Sequence, residues 1–221
     1  METMGNESGI DSEERQTLNW PIITTQESSL QSQNNSHFQQ QNVTADEHIR
    51  FGSYVVLRHI TTSRYLSGSP NNNETSTNNE YKAQIFASRL KSENELWTVI
   101  QAYGERRSKV GEVVPFNTQI RLKHIKSQRF LRSHPDYNAP ISNQQVICQG
   151  DQRVSDLNDN WHVQRHSYTN NYDNSGYWLI GDIITLRHIQ TGATLHSHKI
   201  MLDDDKQEVT CYGPGHEEND K

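Results

Sequence analysis

Three stretches of the chain read as one pattern: SYVVLRHITTSRYLSGS from Ser53, TQIRLKHIKSQRFLRSH from Thr118, and DIITLRHIQTGATLHSH from Asp182. Leu57, Leu122 and Leu186 stand 65 and then 64 residues apart, and His59, His124 and His188 keep the same spacing. A second marker, an aromatic-plus-valine run, recurs as Trp97 in ENELWTVI and as Trp161 in NDNWHVQ, again 64 residues on. Self-similarity at a fixed period is the signature of a repeated structural unit.

Inside each copy the residue pattern implies four short strands. Val55–Arg58 alternates sides, a turn follows at 61–64, and Tyr65–Leu66 returns as the second arm of a hairpin. A third strand follows at Gln84–Ala87, Gln145–Cys148 or Glu208–Cys211, and the tryptophan strand closes the unit. No helical apolar spacing persists, so the body is all-β. Three units of four strands give a twelve-stranded β-trefoil, six strands closing a barrel and six capping it, which removes exposed edges. The repeats span about 51–104, 113–167 and 179–221. Leu57, Leu66, Ile85, Trp97, Val99, Leu122, Leu131, Val146, Trp161, Val163, Leu186, Leu195 and Val209 are the expected core.

Residues 1–48 differ in kind. They are rich in Gln, Asn, Ser and Thr, as in SSLQSQNNSHFQQQNVTADE, and read as a disordered tail before a domain at 49–221. The third copy ends Asn219-Asp220-Lys221 where the second reads Asn158-Asp159-Asn160-Trp161, so its final strand is expected to be missing. Leu18-Asn19-Trp20-Pro21-Ile22-Ile23 resembles that strand, although Pro21 removes a ladder donor and argues against the substitution.

The 221 residues carry a formal net charge of −6, a mean hydropathy of −0.94 and only 31% apolar residues. An acidic chain of this kind is a poor partner for nucleic acid or anionic membrane. No run approaches the ~20 apolar residues of a transmembrane helix, and the N-terminus has no apolar signal-peptide region. The expected location is the cytoplasm, or the endoplasmic reticulum lumen if the N-terminus is incomplete. Cys148 and Cys211 occupy matching places in QQVICQG and QEVTCYG, which suggests two separated buried thiols instead of a disulfide framework.

The combination of LRH, LHSH, QEVTCYG and an Asn-Asp before tryptophan resembles the MIR domain. That domain occurs in protein O-mannosyltransferases, in stromal-derived-factor proteins of the endoplasmic reticulum, and in inositol trisphosphate and ryanodine receptors. The resemblance covers Phe51 to Lys221 and is most specific in TLHSHKIMLDDDKQEVTCYG. The first copy, with YLSGS and IFAS, has lost the Ser-His corner. The resemblance implies a non-catalytic recognition module for a glycan, a glycosylated peptide or a protein. The alternative is a fragment or regulatory domain of a protein O-mannosyltransferase, whose catalytic part is membrane-embedded.

Residue chemistry singles out Arg132, His134, His196, His198 and Tyr212 as ligand contacts, able to serve sugar hydroxyls by hydrogen bonding and stacking. His59, His124 and His188 repeat with the fold and are read as structural ties. His196 and His198 at i, i+2 share a side of a strand, but no third ligand stands at a convincing spacing, so no metal is expected. The Asp203-Asp204-Asp205 run is read as a solvated loop. No nucleophile motif or phosphate loop is present, so neither catalytic residues nor a cofactor are expected.

Overall fold

The computed structural model describes residues 20–23, 46–69, 83–89, 92–138, 145–149, 154–166 and 176–213. Among these, twelve strands form: β1 (Trp20–Ile23), β2 (Tyr54–Leu57), β3 (Tyr65–Gly68), β4 (Ala83–Ser88), β5 (Trp97–Gln101) and β6 (Thr118–His124) in the first half. The second half holds β7 (Leu131–Asn138), β8 (Gln145–Gln149), β9 (Trp161–Arg165), β10 (Ile183–His188), β11 (Thr194–Met201) and β12 (Gln207–Tyr212). Among the described residues no helix is long and apolar enough to cross a membrane.

The strands make one nearly closed antiparallel sheet. β2, β5, β6, β9 and β10 are successive neighbours, and β1 pairs with both β10 and β2, linking the two ends of that path. Three hairpins, β3–β4, β7–β8 and β11–β12, are tied together because β4, β8 and β12 also pair with one another. Within the stretch read from composition as a tail, Trp20–Ile23 is therefore a strand; 1–19 and 24–45 lie outside the described residues.

Strict alternation explains wall strands β6 and β10, whereas β2 buries Val55, Val56 and Leu57 in succession. β10 reads IITLRH with Ile184, Leu186 and His188 inward, and β6 places Ile120, Leu122 and His124 the same way. Of the expected core, Leu57, Leu66, Ile85, Trp97, Val99, Leu122, Leu131, Trp161, Val163, Leu186, Leu195 and Val209 are all buried. Val146 falls among side chains outside the described ones. Ile49, Val114 and Trp178, 65 and then 64 residues apart ahead of β2, β6 and β10, are buried as well, and so is Phe51.

Each tryptophan strand is entered through a short 3₁₀ turn, Glu93–Glu95 or Leu157–Asp159, held by a capping box from Ser92 or Asp156. The turn delivers the indole inward, where Trp97 Nε1 donates to Leu66 O and Trp161 Nε1 to Leu131 O, both at 3.0 Å.

The repeated histidines are ties, as their recurrence suggests. His124 Nδ1 lies 2.8 Å from Ser127 Oγ and its Nε2 2.9 Å from Asn94 O; His188 repeats this with Thr191 Oγ1 at 2.9 Å and Asn158 O at 2.8 Å. A carbonyl can only accept, so Nε2 carries the proton and Nδ1 accepts, also taking the backbone N–H of Ser127 or Thr191. His59 Nδ1 makes the same contact with Thr62 Oγ1 at 2.6 Å. Four residues beyond each histidine the backbone turns left-handed, at Ser63 (φ 57), Gln128 (φ 60) and Gly192 (φ 69).

Candidate functional site

The hairpin β11–β12 gathers three of the five candidate residues. His196 and His198 lie on one side of β11, their ring centroids 5.1 Å apart, and the Tyr212 ring of β12 stands 5.6 Å from His196. Ser197 between them points the other way: it is fully buried, its Oγ donating to Glu208 O at 2.8 Å and accepting from Gln207 Nε2 at 2.7 Å. In LHSH the serine therefore fastens the hairpin, and the flanking imidazoles are what the corner presents.

Beneath the rings lies an acid that sequence reasoning missed. Glu208 is buried, and its Oε2 stands 3.3 Å from His198 Nε2. A buried carboxylate keeps its charge only with a polar partner, and this pairing fixes the ring that carries the contact. The available signal was the acid of QEVTC, which the strand pattern absorbed as ordinary alternation. Burial first, then the neighbouring His196 and His198 charges, push the pKa of His59 down to about 3.

Arg132 and His134 form a second cluster on β7. Arg132 Nε donates to Asp159 Oδ1 at 2.8 Å, and its Nη2 stands 2.8 Å from Asp156 Oδ2. Asp159 is fully buried and also accepts from Ser155 Oγ at 2.7 Å and from Asp156 N at 3.1 Å. The guanidinium is thus committed to two carboxylates of the turn before β9. In the first copy Ser67 takes the place of Arg132 and donates to buried Glu95 at 2.8 Å. His134, half-buried, and Arg132 both act electrostatically on His188.

The aspartate run is only partly the solvated loop expected of it. Asp203 and Asp204 are exposed, but Asp205 accepts from the buried Arg64 Nη1 through its carbonyl and from Ser88 Oγ at 3.3 Å through its carboxylate. Among the described residues no group of three or more His, Cys, Asp or Glu stands close enough to hold a metal. Cys211 is a buried free thiol, and burial pushes its pKa up to about 12; the Cys148 side chain lies outside the described ones.

This architecture recurs in known proteins. The MIR domain profile matches residues 12–156 and 77–221. The chain is 29% identical over 180 residues to dolichyl-phosphate-mannose–protein mannosyltransferase 1 of Candida albicans, covering 76% of this chain and 20% of that protein. It is 36% identical over 107 residues to a stromal cell-derived factor 2-like protein of Arabidopsis thaliana, covering 48% of this chain and 45% of that one. The chain thus spans less than half the length of either relative. The crystal structure of the Arabidopsis SDF2-like protein superposes with a TM-score of 0.64 at 26% identity, covering 75% of this chain and 88% of that one. A Saccharomyces cerevisiae protein O-mannosyltransferase complex bound to the sugar donor shares the fold, with a TM-score of 0.65 at 23% identity over 81% of this chain and 26% of that one. With the family profile matching nearly the whole length, the chain belongs to the MIR domain family.

Proposed function

We propose that the chain is a non-catalytic recognition module, a β-trefoil of three MIR repeats, that binds a glycan, a glycosylated peptide or a protein partner. One observation carries this reading: the His196, His198 and Tyr212 rings stand side by side on one hairpin, with Glu208 buried beneath them. Imidazoles and a phenol so arranged offer directional donors and acceptors together with a stacking face, the chemistry that polyhydroxylated ligands require. The three-copy trefoil is supported by the recurring histidine ties, the recurring tryptophan-to-leucine bonds, and the mutual pairing of β4, β8 and β12.

Arg132 and His134 form the second-copy counterpart of this surface. In the first copy Ser67 and Ser69 stand at those positions, so recognition is unequal among the copies. A glycan array probed with the full chain identifies ligands. His134→Ala combined with His198→Ala then lowers affinity for them at least tenfold; unchanged affinity for every ligand would place recognition elsewhere. The second reading, a regulatory part of a protein O-mannosyltransferase, is favoured by the match that takes in 76% of this chain but only 20% of that enzyme. Apolar ~20-residue segments in the genomic sequence beyond Lys221 are its test.

A further inference from the structure

β1 enters the sheet in a register that the rest of the molecule defines. In the first copy Trp97 lies opposite Val55, and in the second Trp161 lies opposite Ile120. Trp20 lies opposite Ile184, the equivalent position of the third copy. The other edge agrees. Val99 pairs with Leu122 and Val163 with Leu186, while Ile22 pairs with Leu57. The run Trp20-Pro21-Ile22-Ile23 thus stands where a fourth strand of the third copy would stand, in the same direction and the same frame as Trp97-Thr98-Val99-Ile100 and Trp161-His162-Val163-Gln164.

This strand is also the weakest link of the wall. Four residues long against five in β5 and β9, it places Pro21 where those strands have Thr98 and His162. Proline brings no N–H to the ladder.

We infer that the opening between β2 and β10 is a strand-binding site selective for an extended peptide with tryptophan followed two residues on by a β-branched aliphatic residue, and that Trp20–Ile23 fills it in cis. Main-chain pairing on both flanks supplies affinity, and the alternate side-chain positions supply selectivity. A strand tethered in the same chain competes at an effective concentration on the order of millimolar, so an external peptide enters only when the cis strand is weakened. The inference is independent of the His–Tyr surface, and failure of glycan recognition there leaves it untouched.

The test uses the full chain and a fluorescent synthetic peptide spanning Leu18–Thr25. In Pro21→Cys/Ile183→Cys, facing positions of an antiparallel pair are within disulfide reach, and oxidation gives a cross-link within one chain. The peptide binds Trp20→Ala/Ile22→Ala, binds the cross-linked chain roughly tenfold or more weakly, and loses binding when its own tryptophan is replaced by alanine. Cross-links only between chains, no cross-link, or equal peptide binding by the locked chain and by the folded double-alanine variant would overturn the proposal. Should the double-alanine variant not fold, the cross-link and peptide exclusion from the oxidised chain, compared with the reduced chain, decide the matter.

Discussion

Acidification from pH 7.5 to 5.0 removes stability through three buried imidazoles. His59, His124 and His188 are fully buried and held below the usual histidine range, first by burial in each case. For His59 the value is about 3, and the groups facing it are Thr62, His196 and His198. The folded state binds the proton less readily than the unfolded chain, whose histidines titrate near 6.5. Stability is therefore complete above pH 6.5 and falls as pH drops from there towards the folded value, because the unfolded state takes up protons that the native state refuses. At pH 5.0 the gap from 6.5 corresponds to about 2 kcal/mol for His59 alone, at 1.36 kcal/mol per unit. His124 and His188 add in the same direction, since a protonated Nδ1 can no longer accept from Ser127, Thr191 or their backbone N–H groups. Urea titrations followed by tryptophan fluorescence at a series of pH values measure this directly. His59→Gln lowers the slope of stability against pH by close to one proton. A flat profile between pH 7.5 and 5.0 would refute the reasoning.

Other perturbations test separate parts of the structure. Arg132→Ala leaves buried Asp159 without its cation and costs about 3 kcal/mol in denaturant unfolding, whereas Arg132→Ala/Asp159→Asn recovers part of that loss. Trp97→Phe leaves the Leu66 carbonyl without its indole donor and opens a void, destabilising by about 2–4 kcal/mol. Ser63→Gly, at an exposed left-handed position, raises the melting temperature by a gain of up to about 1 kcal/mol, because glycine adopts that backbone without steric cost. In a Cys148→Ser background, Cys211 stays unreactive towards a disulfide reagent until the chain unfolds, since its thiol is buried and protonated.

The wall was legible where its alternation is strict, in β6 and β10. Ile120, Leu122 and His124 announce their shared face in five letters, and the 64–65-residue period makes each copy a check on the others. Trp178 and Val114 were missed although they keep the 65- and 64-residue spacing from Ile49, because the residue types differ, Ile, Val and Trp, and no strand alternation surrounds them. Of the candidate site, the His196–His198 pairing followed from two-residue strand geometry. Glu208 and Asp159 did not, since an acid in a polar-looking run gives no sign that it is turned inward to meet an imidazole or a guanidinium. Composition could not see β1, whose four residues sit inside a Gln- and Asn-rich stretch; their likeness to the tryptophan strands pointed to it, Pro21 argued against it, and the partners on β2 and β10 overrule that objection.

That pairing has a consequence for synthesis on the ribosome. Ile184, which Trp20 faces, is polymerised 164 residues after it. At roughly 5–20 residues per second the delay is on the order of 10–30 s. During that interval β1 has Leu57 and Val56 of β2 on one flank and nothing on the other, so the ring closes only once β10 has been made.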